Sequence, residues 1–228
     1  MTTVLVAGAT GAVGSALVPH LRAQGFSVIP HVRPKTAVRH PLGKDPDALV
    51  IDLSDAPKLD AAISRAQAVV CAVGTMRRRF DAGDTYESSD YRPVVQLVES
   101  AKRAGQSPHF VLVSSLGARP GSGYLGWKFK AEEAVRQSGL PWAILRPSIL
   151  DSTHSGSQAS DGTQRRAPPL IGPALRLAGR VPGLRGLTDD LRPMPVEVLC
   201  RAIARTLKDR APVASVLTGR QLWQAASL

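Results

Sequence analysis

VLVAGATGAVG, residues 4–14, is the stretch that decides the fold of this chain. Its first four residues are apolar, rich in β-branched side chains and followed by a glycine, which is typical of a buried strand. Gly8, Gly11 and Gly14 then follow at a spacing of three, and an apolar pattern of helical period covers 12–24. A strand, a glycine turn and a helix in this order are typical of a site for a dinucleotide pyrophosphate.

The residue types of this turn suit a phosphate. We expect Gly8 to allow a tight turn, Gly11 to let the backbone approach the phosphate, and Gly14 to let the helix pack close on the strand. The helix N-terminus adds unpaired N–H groups and a partial positive charge. The predicted cofactor-binding residues here are Gly8, Thr10, Gly11, Ala12, Val13 and Gly14. The alternative is a glycine-rich turn that binds no ligand.

Length and charge limit the possible functions. A chain of 228 residues predicts one domain, or one domain with a small appendage. The net charge of +11 favours polyanions in general. The sequence has no zinc-finger spacing, basic helix or basic-aromatic module, which argues against nucleic acid as a partner. A phosphate-bearing cofactor or an acidic protein partner explains the charge better.

Cysteine content and hydropathy predict the compartment. Cys71 and Cys200 lie in apolar runs and are too few for a disulfide framework. The first apolar run lacks the basic segment of a signal peptide, and no run of eighteen apolar residues occurs. We therefore expect a cytoplasmic protein with no membrane span and no metal site.

Predicted strands and helices alternate through the first 150 residues. The strands are expected at 26–32, 48–51, 68–73, 109–113 and 142–145, and the helices at 57–66, 93–104 and 125–138. This alternation predicts right-handed βαβ units, and hence an α/β fold with a doubly wound parallel sheet. Ligands bind such a sheet beyond the carboxyl ends of its strands.

The pattern changes after residue 150. Residues 151–168 are small, polar and rich in turn-forming types, which predicts a loop or lid. A short amphipathic helix at 170–181, a helix at 195–208 and a strand at 214–217 are expected to follow. We interpret 1–150 as the dinucleotide-binding core, 151–194 as a small substrate-side appendage, and 195–228 as a return to the core.

The end of the second predicted strand indicates which cofactor is bound. An enzyme that prefers NAD usually has an acid here, whereas this chain has Arg33 and Lys35, with Arg39 nearby. Because a guanidinium binds phosphate well, we predict NADP rather than NAD, with Arg33 as the main contact. A solvated basic loop is the alternative.

Two further strand ends carry candidate cofactor contacts. Asp52-Leu53 follows the third strand, where the carboxylate could accept a hydrogen bond from the adenine amino group or act as a helix N-cap. Val73-Gly74-Thr75 follows the fourth strand, where a glycine would let the cofactor ribose lie against backbone. A simple turn is the alternative for the second segment.

The fifth strand and the following helix carry candidate catalytic residues. Ser114-Ser115 ends the strand, and Tyr124 and Lys128 are four residues apart, so they share one helix face. A nearby ammonium lowers the pKa of a phenol, which suits acid–base catalysis. A serine hydroxyl would hold the substrate oxygen close to that phenol. A solvated helix face is the alternative.

These motifs resemble the atypical branch of the short-chain dehydrogenase/reductase superfamily, with the glycine spacing of its extended members. The chain is most similar to the small NADP-binding proteins typified by the Tat-interacting oxidoreductase, with NmrA-like proteins as more distant relatives. The matching stretches are VLVAGATGAVG (4–14), DLSD (52–55), VVCAVGT (69–75), HFVLVSSLGA (109–118), YLGWK (124–128) and ILRPSIL (144–150).

The resemblance implies a Rossmann-like sheet, bound NADP and hydride transfer between the nicotinamide and a carbonyl or alcohol carbon. Ser115 would orient the oxygen, with Ser114 as the alternative, and Tyr124 would donate the proton. Lys128 would bind the nicotinamide ribose and lower the pKa of the phenol, and Pro147 would contact the cofactor. One departure is Asp90, where many members have asparagine.

Other functions stay open at this point. The chain could be an NADP(H)-binding regulatory or assembly protein with little or no turnover. Arg77-Arg78-Arg79 would then dock a protein partner, although a solvated loop is the favoured interpretation of this run. A nucleotide-sugar epimerase is disfavoured, because the substrate region is small. Charges expected on the outward helix faces favour a monomer; they are Glu99, Lys102, Glu132 and Arg136.

Overall fold

The computed structural model describes residues 1–74, 83–151, 188, 190–209 and 213–227. The strands are β1 (Thr3–Ala7), β2 (Ser27–Val32), β3 (Leu49–Val50), β4 (Ala68–Cys71), β5 (His109–Val113), β6 (Trp142–Arg146), β7 (Leu150–Asp151), β8 (Met194–Pro195) and β9 (Ser215–Thr218). The main sheet has the order β3-β2-β1-β4-β5-β6-β9, and every pairing in it is parallel. β7 and β8 form a separate parallel ladder.

Helices cover both faces of the sheet. They are α1 (Gly14–Ala23), α2 (Pro34–Ala37), α3 (Ala56–Ile63), α4 (Arg92–Arg103), α5 (Gly123–Arg136), α6 (Val196–Asp209) and α7 (Gly219–Ser227). A turn of π-helix, Glu87–Tyr91, precedes α4. Within the ranges that the structure describes, no helix combines the length and the apolar character needed to cross a bilayer.

Alternation along β1 shows why the sheet is doubly wound. Val4 and Val6 point into one buried cluster, which includes Leu17 of α1, whereas Leu5 points into a second cluster, which includes Leu97 of α4. Because both faces of β1 are buried from Val4 to Ala7, this part of the strand is apolar throughout. The predicted fold class is therefore confirmed.

Some elements differ from the sequence-based expectation. The sequence did not predict α2, the π-helical turn, the β7–β8 ladder or α7. The predicted helix at 170–181, Thr75, the arginine run at 77–79 and the loop prediction beyond Asp151 lie outside the described residues. The successive carboxyl ends of β1, β4 and β5 lie next to one another, and this edge positions the candidate site.

Candidate functional site

The glycine turn joins β1 to α1 through backbone that only glycine fits. Gly8 has a φ of +85°, and an added Cβ would lie 2.7 Å from the carbonyl oxygen of Ala72. At Gly14 an added Cβ would collide with the Gly8 carbonyl oxygen and would lie 2.6 Å from the Cα of Ala9. Gly8 therefore provides the tight turn, and Gly14 makes room for the turn itself rather than for the strand.

Gly11 forms the open part of this turn. Its N–H donates to the Gly8 carbonyl at 3.0 Å, and its carbonyl accepts from the Ser15 N–H at 2.9 Å. An added Cβ would lie 3.3 Å from the Gly8 oxygen, with no other heavy atom of the described chain within 4 Å. The side chains of Ala12 and Val13 are buried, so both residues offer only backbone to a ligand. The N–H groups of Gly11 and Ser15 are engaged, but the start of a helix generally offers other N–H groups that lack an intrahelical acceptor, and such backbone suits a pyrophosphate.

A cationic segment follows β2. Arg33, Lys35 and Arg39 are all exposed. His31, two residues before Arg33, is buried, and its Nε2 lies 3.0 Å from the carbonyl oxygen of Ile51. Burial lowers the pKa of His31. The charge at this strand end therefore comes from the arginines and the lysine.

Asp52 is exposed beyond β3, at the same edge of the sheet. The N–H and hydroxyl of Ser54 donate to its Oδ1 at 3.0 and 2.9 Å, and these bonds lower the pKa of Asp52. The N-cap of α3 is Asp55, which accepts from the Lys58 N–H, so the alternative role of Asp52 as N-cap is wrong. Leu53 is buried and offers only backbone to a cofactor.

Tyr124 and Lys128 lie one turn apart on α5, as their spacing predicts. Lys128 Nζ is 5.8 Å from the centroid of the Tyr124 ring. The ring of Tyr86 packs against Tyr124 with a centroid separation of 5.6 Å. Tyr124 is half-buried, whereas only 5% of the Lys128 side chain is exposed. A phenol reachable from solvent therefore lies beside a buried ammonium.

Lys128 is held by two acceptors. Its Nζ is 3.0 Å from Oδ1 of Asp90, whose side chain is 0% exposed, and 3.3 Å from the carbonyl oxygen of Val73. Burial alone lowers the pKa of Lys128, but attraction by Tyr124 and Asp90 outweighs it and raises that pKa above its ordinary 10.5. Lys128 is therefore a charged ammonium at neutral pH.

Gly74 lies against the ion pair of Asp90 and Lys128, where a side chain would not fit easily. An added Cβ would lie 3.1 Å from Asp90 Oδ1 and 3.3 Å from Lys128 Nζ. Gly74 itself is exposed just beyond β4. The structure thus brings Val73 and Gly74 together with Lys128, while the third residue predicted in this segment, Thr75, is not described.

The two serines after β5 have different surroundings. The Ser114 hydroxyl is buried and donates to Glu132 Oε1 at 2.5 Å. The Ser115 hydroxyl is partly buried and makes a longer contact, 3.4 Å, with the Leu116 carbonyl oxygen. Because Glu132 engages Ser114, the geometry favours Ser115 as the residue that meets a substrate oxygen.

Glu132 corrects one expectation and adds a feature that the sequence analysis missed. It was expected on an outward face, but its side chain is 0% exposed. It accepts from Arg136 Nη2 at 2.7 Å and from Arg146 Nε at 2.8 Å. The reason is periodicity: the face of α5 that carries Tyr124 and Lys128 continues four residues later at Glu132. The same spacing could have found it.

Pro147 links the ends of two strands. It is buried directly after β6, and its carbonyl oxygen accepts from the Leu116 N–H at 2.9 Å. This bond keeps Pro147 near the segment that carries Ser115. Among the residues that the structure describes, no group of three His, Cys, Asp or Glu side chains could hold a metal ion.

Comparisons with known proteins identify the family of the chain. A family model described as NAD(P)H-binding matches residues 8–168. Protein TIC 62 from the chloroplast of Pisum sativum is 36% identical over 176 residues, which are 65% of this chain and 33% of that protein. Divinyl chlorophyllide a 8-vinyl-reductase from Oryza sativa subsp. indica is 31% identical over 171 residues, 68% of this chain and 42% of that protein.

A solved structure matches along the whole length. A putative NAD-dependent epimerase/dehydratase from Bacillus halodurans superposes with a TM-score of 0.69, covering 100% of this chain and 99% of that chain at 18% identity. At this identity the match shows the fold alone. The chain spans only about a third of the TIC 62 proteins that it matches.

Proposed function

The chain belongs to the NAD(P)H-binding family, and from this premise we propose that it is an NADP-dependent oxidoreductase. It transfers a hydride between the nicotinamide and a small carbonyl or alcohol substrate. One observation carries the proposal: Tyr124 lies beside the buried ammonium of Lys128, at the sheet edge where the glycine turn begins. The relative named as an 8-vinyl-reductase supports a reduction in general but not a carbonyl substrate, and the chain covers 42% of its length.

The chain's own residues have separate tasks in this reaction. The bound cofactor supplies or accepts the hydride at the nicotinamide. During reduction, the phenol of Tyr124 donates its proton to the carbonyl oxygen, so that oxygen becomes a hydroxyl as the carbon gains the hydride. The Ser115 hydroxyl donates a hydrogen bond to the same oxygen. Lys128 stabilises the phenolate until solvent returns a proton.

The proposed choice of NADP depends on Arg33. Its guanidinium is exposed directly after β2, and the exposed Lys35 and Arg39 add positive charge nearby. An acid at this strand end would accept from the ribose hydroxyl of NAD and repel a phosphate, and residues 31–35 contain none. A positive strand end therefore supports a cofactor with a 2′-phosphate.

The test combines binding and turnover. Calorimetry with NADPH and with NADH measures cofactor choice, and NADPH oxidation is then followed across aldehydes, ketones and quinones. We expect Tyr124→Phe to lower kcat by a factor on the order of 100 to 10,000, because the proton donor is lost. Its NADPH affinity should stay within about threefold, because the ribose-binding Lys128 is kept.

Tyr86→Phe is the matched control, since the Tyr86 ring packs against Tyr124 at 5.6 Å. This control should keep its turnover. Equal activity of Tyr124→Phe and the parent protein would remove Tyr124 from the mechanism. Failure of both cofactors to bind would overturn the whole proposal.

A second candidate function is NADP(H)-dependent regulation of a protein partner. The observation that favours it is the Asp90 carboxylate 3.0 Å from Lys128, which offsets the charge that would activate Tyr124. Tight NADPH binding without oxidation by any compound of the panel would favour this function. Turnover that depends on Tyr124 would argue against it.

A further inference from the structure

A small cleft lies between α1, α6 and α7, away from the proposed oxidoreductase site. α1 leads into β2 and α6 leads into β9, so both helices end near the amino ends of the strands. Residues from the end of α1 line the cleft, whereas the glycine turn precedes α1 at the carboxyl ends of the strands. α1 has ten residues and therefore spans about 15 Å. The cleft and the dinucleotide site thus lie at opposite edges of the sheet.

Basic side chains line this cleft. They are His20 of α1 and Arg201, Arg205 and Lys208 of α6. The other described residues of the lining are uncharged: Gln24, Ala204, Ala225 and Ala226. The cleft has a volume of about 180 Å³. Pockets for drug-sized ligands have roughly 300–1,000 Å³, so this cleft suits a smaller, anionic ligand.

Two of these cations have no acidic partner. Arg205 pairs with Asp209 of the same helix at 2.6 Å, and both side chains are exposed. Arg201 and Lys208 form no ion pair with any residue that the structure describes, Glu197 one turn before Arg201 included. Lys208 Nζ instead donates to Gln24 Oε1 at 2.7 Å. Two positive charges at the cleft are therefore left uncompensated within the described chain.

The half-buried imidazole of His20 lies within the field of both cations. Burial, then Arg201 and then Lys208 lower the pKa of His20, so these groups share one space. His20 and Lys208 also lie in the last turns of their helices, where positive charge offsets the partial negative charge of the helix end. Arg201 lies in the middle of α6, so this effect does not explain its place at the cleft.

We propose that the cleft is a second anion site, which binds the phosphate group of a small ligand independently of the dinucleotide. Arg201 and Lys208 donate charge-assisted hydrogen bonds to the phosphate oxygens, and His20 adds another when it is protonated. The three alanines of the lining offer an apolar wall to a short carbon chain on the phosphate. This inference does not depend on the proposed oxidoreductase activity, because phosphate binding is measured without turnover.

The direct test is calorimetric titration with inorganic phosphate and with ethyl phosphate at constant ionic strength. We expect Arg201→Gln to weaken binding about tenfold, and Arg201→Gln with Lys208→Gln about a hundredfold. Arg220→Gln is the matched control, because Arg220 is an exposed arginine of α7 outside the lining. It should change the affinity by less than about twofold, as expected for a distant, screened charge.

Several outcomes of this titration are decisive. Tighter binding of ethyl phosphate would identify an organic phosphate as the ligand, whereas equal affinities would identify inorganic phosphate. Absence of binding would overturn the inference. Equal losses in Arg201→Gln and Arg220→Gln would also overturn it, since they would show only the general attraction of a basic protein. Displacement of phosphate by NADP⁺ would show that the two ligands do not bind independently, which contradicts the inference.

The protonation of His20 in the unmodified protein gives a second readout. Sulfate is the probe, because it stays a dianion over the range in which histidine titrates. We expect bound sulfate to raise the pKa of His20 by about one pH unit, because the dianion offsets the field of Arg201 and Lys208. Sulfate should therefore bind more tightly below this pKa than above it. NMR of the imidazole C–H signals measures the midpoint, and His20→Gln identifies the signal. An unchanged midpoint, or an equal shift at His40 outside the cleft, would overturn the inference.

Discussion

The glycine turn and the Tyr124–Lys128–Asp90 cluster lie at the same sheet edge but are specified differently. The turn depends on missing side chains, because a Cβ at Gly8 or Gly14 would meet backbone atoms. The cluster depends on three charged or polar side chains contributed by α5 and the π-helical turn. A local motif therefore specifies cofactor binding, whereas the proposed acid–base chemistry depends on how distant elements pack. Substitutions that affect either the glycine turn or the Tyr124–Lys128–Asp90 cluster, but not both, test whether the two parts act separately.

Gly14→Ala should have the largest effect, and this effect should be a loss of cofactor affinity. Its Cβ would collide with the backbone of Gly8 and Ala9, which cannot move aside as a flexible side chain can. We expect NADPH binding to weaken by at least about a hundredfold, since the turn must shift away from the phosphate. Calorimetry measures this loss. Gly11→Ala, whose Cβ would lie 3.3 Å from one backbone oxygen, is the milder comparison. Equal NADPH affinities of Gly14→Ala and the parent protein would contradict the claim that the glycine turn specifies cofactor binding.

Glu132→Gln should have the next largest effect, and this effect should be a loss of protein stability. Removing the charge leaves Arg146, whose side chain is 19% exposed, without its buried partner. We expect the free energy of unfolding to fall by about 3 kcal/mol, measured by urea denaturation. Glu133→Gln is the control, because Glu133 is 38% exposed and pairs only at the surface with Arg136. It should cost less than about 1 kcal/mol. Similar losses in both variants would contradict the role assigned to Glu132.

Ser115→Ala and Ser114→Ala compare the two serines that follow β5. The first should affect catalysis, and the second should affect stability. We expect Ser115→Ala to lower kcat about a hundredfold, because a hydrogen bond to the substrate oxygen is lost. Ser114→Ala removes only a buried bond to Glu132, so its effect should fall on stability, at about 1 kcal/mol. Steady-state kinetics and urea denaturation measure the two. The reverse pattern would reassign the catalytic hydroxyl to Ser114.

Arg33→Ala should have the smallest effect and should change only cofactor choice. One charge-assisted contact to the 2′-phosphate is lost, so NADPH affinity should fall about tenfold while NADH affinity is unchanged. Arg65→Ala removes an exposed arginine after α3 and serves as the control for net charge. An equal loss for NADPH and NADH would remove Arg33 from phosphate recognition.

Local signals predicted most of the fold and part of the site. The glycine spacing, the apolar strands and the four-residue spacing of Tyr124 and Lys128 all describe neighbours in the chain, so the sequence alone indicates them. The four-residue spacing on α5 indicates the burial of Glu132, although we did not predict it, but its partner Arg146 lies fourteen residues away, where no local pattern points to it. Asp90 was noted as a departure from its family, but its partner depends on a π-helical turn that no local pattern indicated. Long-range packing of charged groups therefore accounts for what sequence reasoning missed.

The β7–β8 ladder brings together two points of the chain that are more than forty residues apart. Leu150 pairs with Met194 and Asp151 with Pro195, so the chain leaves the core and returns to it at neighbouring points. Adjacent strands are about 5 Å apart, a gap that a short linker can bridge. The ladder thus holds Leu150 and Met194 side by side through backbone hydrogen bonds, which do not depend on the identity of the side chains.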